Sequence, residues 1–235
     1  MAVFIISCLN LKGGCGKSTI CINLAACLAS HKYRVLVVDL DPQRSVTRWA
    51  RQSQATNTKG FNLSSNVFSL NLDVDRPALQ FKHDLDKLIT DTKSNVVVID
   101  TPPQLEDAAL LAALMSDLIL VPVSPSPLDI WAAEAAVETG REARKERVGN
   151  KPAITLLPSK VQPQTVLGRE LSDTLSALGE PVGPGITQRV ALIECAVAGQ
   201  TIDLYAPKSP SHIEFETLVK YTLKIMKGMQ HVQKS

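Results

Sequence analysis

The sequence predicts a doubly wound α/β fold, a mostly parallel sheet flanked on both faces by helices. Two observations carry the prediction. Short β-branched apolar runs recur along the chain, each followed by a longer segment of helical period. The centres of these runs, such as Val35-Leu36-Val37-Val38 and Val96-Val97-Val98-Ile99, are apolar without alternation. That pattern suits strands covered on both faces, as those of a parallel sheet are. Ligands of such sheets sit at the carboxyl ends of the strands, so candidate functional residues are sought there.

Strands are expected over residues 3–9, 34–39, 96–100, 118–123 and 154–158, with weaker candidates at 67–70 and 182–186. Helical periodicity covers residues 18–30, where Ile20, Leu24 and Leu28 share one face with Cys21 and Ala25 beside them. It returns over residues 77–91, 106–115, 128–147, 165–178 and 211–229. Residues 53–65, polar and rich in Asn, Ser and Thr, form the loosest segment. Without an internal repeat, low-complexity tract or linker, one domain over residues 1–235 is expected.

Hydrophobic residues make up 45% of the 235 and charged residues 20%, ordinary for a soluble globular enzyme. The net charge of +2 is too small to identify a partner, so any basic surface must be local. The apolar start follows no Lys or Arg and precedes no small-residue cleavage site, which makes it a buried strand and not a signal peptide. No run is long enough to span a bilayer. Cys8, Cys15, Cys21, Cys27 and Cys195 form no CxxC pair, and no histidine is expected in metal-ligand spacing from them. They fit free thiols in a reducing cytosol.

Asn10-Leu11-Lys12-Gly13-Gly14-Cys15-Gly16-Lys17-Ser18-Thr19 follows the first strand and opens the first helix. Its glycines let successive backbone N–H groups turn inward around phosphate oxygens, and the helix N-terminus adds the positive end of its dipole. Lys17 is placed to reach the β- and γ-phosphates of a nucleotide, and the Ser18 hydroxyl to ligate Mg²⁺. Cys15 sits among amide donors that could lower a thiol's pKa, although a small residue that simply fits accounts for it. Asp100 follows four apolar residues at the ligand-facing edge, where an acid can orient Mg²⁺ through water. Asp39 and Asp41 end the second strand on the same side.

The usual loop, GxxxxGK[ST], would have Gly where Leu11 stands, and here an additional lysine, Lys12, precedes the glycines. Lys12-Gly13-Gly14-Cys15-Gly16-Lys17-Ser18 resembles the deviant Walker A box of the ParA/MinD superfamily of ATPases. Asp39-Leu40-Asp41-Pro42-Gln43 resembles that family's second box, and Asp100-Thr101-Pro102-Pro103 the end of its Walker B strand. Pro122-Val123-Ser124-Pro125-Ser126-Pro127-Leu128-Asp129 and Ile186-Thr187-Gln188-Arg189 resemble segments of small plasmid-partition ParA proteins of the ParF kind. The likeness extends over nearly the whole chain.

The resemblance implies a slow, partner-stimulated ATPase using ATP and Mg²⁺. Lys12, Gly13, Gly14, Cys15, Gly16, Lys17, Ser18 and Thr19 would bind the nucleotide; Ser18, Asp39 and Asp100 would serve the metal. Lys17 would hold phosphate charge and Asp41 would position the attacking water, with Asp39 supporting the metal shell. Lys12 would cross a homodimer interface to the other subunit's phosphates, the role of an arginine finger. Residues 122–129 would help form that dimer face. Adenine would fall to Pro158, Ser159 and Lys160 and to the loop around Pro207.

Such a protein would be cytoplasmic and nucleoid-associated, binding DNA nonspecifically as an ATP dimer and segregating a plasmid or other large cargo. The phosphate loop begins at residue 12, so no helix-turn-helix is expected before it. Sequence reading would pass to a centromere-binding protein or cargo adaptor that also stimulates hydrolysis. Arg141, Arg144, Lys145, Arg147 and Lys151 cluster at one helix end, while Lys220, Lys224 and Lys227 line the last helix opposite Phe215, Leu218, Val219, Thr222 and Met226. Either could meet phosphate backbones, although such clusters are more often solvated faces. Two alternatives stand within the family. One is a MinD-like membrane-associated ATPase, set back because a polar 230–235 segment follows the last helix; the other positions a protein organelle such as the carboxysome. An iron–sulfur ATPase would need cluster cysteines, and none lies between Cys27 and Cys195. A non-catalytic scaffold is opposed by the retention of Lys12, Lys17, Asp39, Asp41 and Asp100.

Overall fold

Six strands, β1 (Phe4–Cys8), β2 (Val35–Asp39), β3 (Val67–Ser69), β4 (Val96–Asp100), β5 (Leu118–Val123) and β6 (Ala153–Pro158), form one parallel sheet in the order β3-β2-β4-β1-β5-β6. The structure is a computed structural model that describes residues 3–53, 61–70, 78–103 and 106–232. The chain winds outward from β1 through β2 to β3, returns to β4 beside β1, and then winds the other way through β5 to β6. That reversal at β1 is the switch point where doubly wound sheets place their ligands. Register aligns the acids there: Asp39 pairs level with Asp100, and Asp100 with Cys8.

The helices are α1 (Lys17–Ser30), α2 (Ser45–Gln52), α3 (Leu63–Asn66), α4 (Ala78–Thr92), α5 (Glu106–Met115), α6 (Pro127–Lys145), α7 (Val166–Ser176), α8 (Val190–Val197), α9 (Ile202–Tyr205) and α10 (Pro210–Val232). Successive strand residues feed opposite cores, as the period of two requires. Val96 and Val98 of β4 pack in the cluster that holds Leu24 and Leu28 of α1 and Phe215 and Leu218 of α10. Val97 and Ile99 join Phe81 and Leu85 of α4 on the other face. Each such fully buried side chain contributes roughly 1.5–3 kcal/mol of burial, which explains why the strands lack polar alternation. No described helix is long and apolar enough to cross a membrane.

The five strong strand expectations hold within a residue or two, and the weaker one at 67–70 is β3. Residues 182–186 form no strand. Val182 makes one parallel bridge to Leu156, after which Gly183-Pro184-Gly185 interrupts pairing because proline offers no amide donor. Four short helices, α2, α3, α8 and α9, lie outside the expected helical segments. Of the segment expected to be loose, residues 54–60 lie outside the described residues; Phe61 is buried and Leu63 opens α3. Residue 77 of the expected 77–91 helix also lies outside them.

Candidate nucleotide site

The loop after β1 is anchored at its entry by Asn10, whose Nδ2 donates to the Pro122 carbonyl at 2.7 Å and whose Oδ1 accepts from the Lys12 amide at 2.9 Å. Gly14 and Gly16 take φ values of +83° and +98°, the left-handed region that favours glycine. A Cβ on Gly16 would also lie 2.8 Å from Ser159 Oγ. Ser159, just past β6, donates to the Cys15 carbonyl at 2.7 Å and so braces the loop from the neighbouring carboxyl end of β6. Helix α1 begins at Lys17 with no side-chain cap and no acidic residue in its first turn. Its leading amides therefore suit an anion.

The two loop lysines stand in different states. Lys17 is 6% exposed, and its Nζ donates to the carbonyls of Asn10 and Lys12, both at 2.8 Å. The Lys12 side chain is 35% exposed and pairs at 3.0 Å with Asp129 in the first turn of α6. Asp129 itself is buried. Asp129 ends the proline-rich segment, but nothing in the sequence marked it as a partner for Lys12.

Ser18 Oγ donates to Asp100 Oδ2 at 2.6 Å. Burial pushes the Asp100 carboxyl up to about 7; the Ser18 hydrogen bond and Lys17 oppose this, while Asp39 and Asp41 add to it. Asp39 is raised too, first by burial, against hydrogen bonds from Thr47. Its Oδ2 accepts from the Thr47 amide and hydroxyl at 2.8 and 2.7 Å, and its Oδ1 accepts from the Asp41 amide at 3.1 Å. Asp39 thus fixes the start of α2 and the turn that carries Asp41. Asp41 is half-buried and accepts from the Gln43 amide at 2.9 Å. A hydroxyl touching a buried carboxylate, with two more carboxylates nearby, is an oxygen donor set short of positive charge. Mg²⁺ fits it.

Burial raises the Cys15 thiol and outweighs the lowering effect of Lys17 and the backbone donors, which agrees with a small residue that simply fits the loop.

Beyond the loop, Gly16, Thr19, Ser159 and Lys160 line one side of a 330 Å³ cavity whose apolar wall includes Ile186 and Leu192. Pro158 is buried directly before Ser159. Pro207 is exposed between α9 and α10 and does not line this cavity. The cavity's Thr187 donates through its amide and hydroxyl to Glu214 at 3.0 and 2.7 Å, and Arg189 Nη2 reaches the same carboxylate at 2.9 Å.

The two basic clusters differ. Arg141 and Arg144 both bind Glu180, at 3.0 and 3.1 Å, and Lys151 binds Asp117 at 2.8 Å. Arg147 donates to the Ser116 carbonyl. Only Lys145 of that group is exposed and without an ion pair among the described residues. Lys220, Lys224 and Lys227 are all exposed, and no ion pair involves them among the described residues.

Residues 6–202 match the CobQ/CobB/MinD/ParA nucleotide binding domain family. The chain is 34% identical over 196 residues to "Maintenance of carboxysome distribution protein A" of Halothiobacillus neapolitanus, covering 83% of each chain. It is 28% identical over 246 residues to the chromosome-partitioning ATPase Soj of Thermus thermophilus, covering 92% of this chain and 93% of the other. A crystal structure described as a plasmid partition protein of Borrelia burgdorferi B31 bound to AMPPNP has a TM-score of 0.68 at 20% identity, covering 94% of this chain and 99% of that one, a likeness of fold. The family match spans most of the chain and contains the phosphate loop and all three acids, so this protein belongs to the ParA/MinD family of P-loop ATPases.

Proposed function

We propose that the chain is a nucleotide-switched positioning ATPase. ATP and Mg²⁺ would assemble two copies into a sandwich dimer that binds DNA without regard to sequence. An adaptor on a large cargo would then stimulate hydrolysis and release the dimer. The contrast between Lys12 and Lys17 carries this reading. Lys17 is buried and faces its own loop, ready for phosphates of its own subunit. Lys12 is a third exposed and held by a single carboxylate, which a phosphate from a second copy can displace. Leu128 and Trp131, 59% and 62% exposed, flank Asp129 and supply apolar area for that interface.

Ser18 and Asp100 would hold Mg²⁺, whose charge offsets that of the β- and γ-phosphates. Asp39, by binding Thr47 and the Asp41 amide, would steady the turn from which Asp41 orients the attacking water. The cavity beyond Thr19 would take the base, and the α10 lysines would meet DNA phosphates.

Sedimentation with a non-hydrolysable ATP analogue tests the switch. Dimer with the analogue and monomer with ADP is the expected result, since only a γ-phosphate touching both copies has differential affinity for the dimer. Lys12→Ala should weaken dimerisation while sparing monomer nucleotide binding, which Lys17→Ala should lose. A monomer at saturating analogue contradicts the reading.

For the cargo, a chromosomal region is supported by the name of the Soj relative. A second reading, a protein organelle, is supported by the name of the 34% identical relative. Deleting the gene and observing which body loses its regular placement separates the two.

A further inference from the structure

A second cluster of ligating side chains lies away from the nucleotide site, where the last turns of α1 meet the start of α10. Cys27, His212 and Glu216 each offer one ligand atom, and these atoms lie within 4.8 Å of one another. Helix geometry brings them together. His31, the C-cap of α1, follows Cys27 by four residues, and Glu216 follows His212 by four on α10, the spacing that places two side chains on one face. His31 Nε2 is 2.8 Å from Glu216 Oε2, and His212 Nε2 is 3.7 Å from Glu216 Oε1. The histidine that joins Cys27 in the cluster is His212, too distant in the chain for the spacing of the cysteines to show it.

Three observations define what the cluster lacks. Cys27 is fully buried, and burial, followed by Asp203 and Glu216, pushes its thiol far above the ordinary range. Asp203 on α9 has a buried Oδ1 with no hydrogen-bond partner among the described residues. Neither Glu216 nor Asp203 forms an ion pair with a lysine or arginine among the described residues; Glu216 pairs with histidines. A thiol and two carboxylates with no fixed cation make a site that a divalent metal completes.

We propose that Cys27, His212 and Glu216 bind a transition-metal dication of the zinc class, with His31 orienting the carboxylate through its second oxygen. Sulfur and imidazole ligands favour zinc over Mg²⁺ or Ca²⁺. In a tetrahedral zinc site, nitrogen and oxygen ligands at about 2.0–2.2 Å from the metal stand roughly 3.4 Å apart, close to the 3.7 Å between His212 and Glu216. Water fills the fourth position. The Lys208 amide donates to His212 Nδ1 at 3.0 Å, which leaves the ring proton on Nε2. Metal at Nε2 moves that proton to Nδ1 and opens the Lys208 bond, so the ion ties α10 to α1 while loosening the turn before α10. Cys27 releases its proton as the metal binds, and affinity therefore rises with pH.

Cobalt titration of the metal-free full chain, with Mg²⁺ and ADP saturating the nucleotide site, tests the proposal. The expected result is one Co²⁺ per chain with a thiolate-to-metal charge-transfer band, displaced by Zn²⁺. Cys27→Ser should remove the band, and His212→Ala and Glu216→Gln should each weaken cobalt binding roughly tenfold or more. ADP binding by each variant checks that the fold persists. If Cys27→Ser does not fold, the other two variants still decide. No thiolate band in the wild type, a band that survives in Cys27→Ser, or unchanged affinity in His212→Ala and Glu216→Gln overturns it.

Discussion

Two basic clusters that read alike in the sequence end in opposite states. At the end of α6, Arg141 and Arg144 converge on Glu180, a residue 36 positions beyond Arg144, and Lys151 closes on Asp117. Along α10, Lys220, Lys224 and Lys227 face solvent. The first cluster ties the α6 end to the segments on either side of it; the second leaves its charge in solvent. A charge count along the chain cannot separate the two, because the neutralising acids are distant in sequence. The same division runs through the nucleotide site, where Lys12 is paired internally and Asp100 is buried next to further acids.

Asp100 gives the largest expected effect. With its carboxyl near 7 in the fold against 3.8 ordinarily, the native chain binds a proton that the unfolded chain has released between those values. Stability without nucleotide or metal should therefore fall as pH rises from about 4 to 7, by on the order of 4 kcal/mol at most. Urea unfolding across that range should show the fall, and Asp100→Asn should flatten most of it; Asp39, raised in the same direction, accounts for a remainder. A variant as steep as the wild type would assign the slope elsewhere.

Next comes Glu180→Ala, which leaves two guanidinium groups without their shared carboxylate. The Glu180 side chain is 7% exposed while both arginines are partly solvated, so a loss of about 2 kcal/mol in urea unfolding is expected, below that of a fully buried pair. A change under about 0.5 kcal/mol would erase the distinction between the clusters. Asp129→Asn should cost under about 1 kcal/mol, since Lys12 is partly exposed. It should also promote analogue-dependent dimerisation severalfold by releasing Lys12, as sedimentation would detect. Smallest of all, Lys220→Glu combined with Lys224→Glu should shift stability by no more than about 0.5 kcal/mol, because both are exposed and have no ion pair among the described residues.

The strong strands were legible because each is apolar on both faces, and the phosphate loop because its glycines and lysines occupy fixed positions. What escaped depends on contacts between distant residues. Helix α2 is short and polar, and its start is fixed by Asp39 reaching Thr47. Helix α8 is apolar nearly throughout, so no period marks it; Cys195 turns inward while Val190, Ile193 and Val197 stay exposed. The Lys12–Asp129 pair and the Glu214 clamp on Thr187 and Arg189 join residues far apart in the chain. Cys27 and His31 were close enough to notice, but the second helix that completes their cluster lies 185 residues beyond His31 at Glu216.

The central claim, a nucleotide-switched dimer that holds DNA through α10, is tested most directly by duplex binding across a salt series with ATP analogue or ADP. Wild type, Lys220→Glu/Lys224→Glu and Lys145→Glu proteins would be compared on DNA of unrelated sequences. The account predicts analogue-dependent binding that hardly varies with sequence and falls steeply with salt. It predicts a loss of roughly tenfold or more and a shallower salt slope in the α10 variant, with little change in Lys145→Glu. Equal binding with ADP, or an α10 variant that binds as the wild type does, would contradict it.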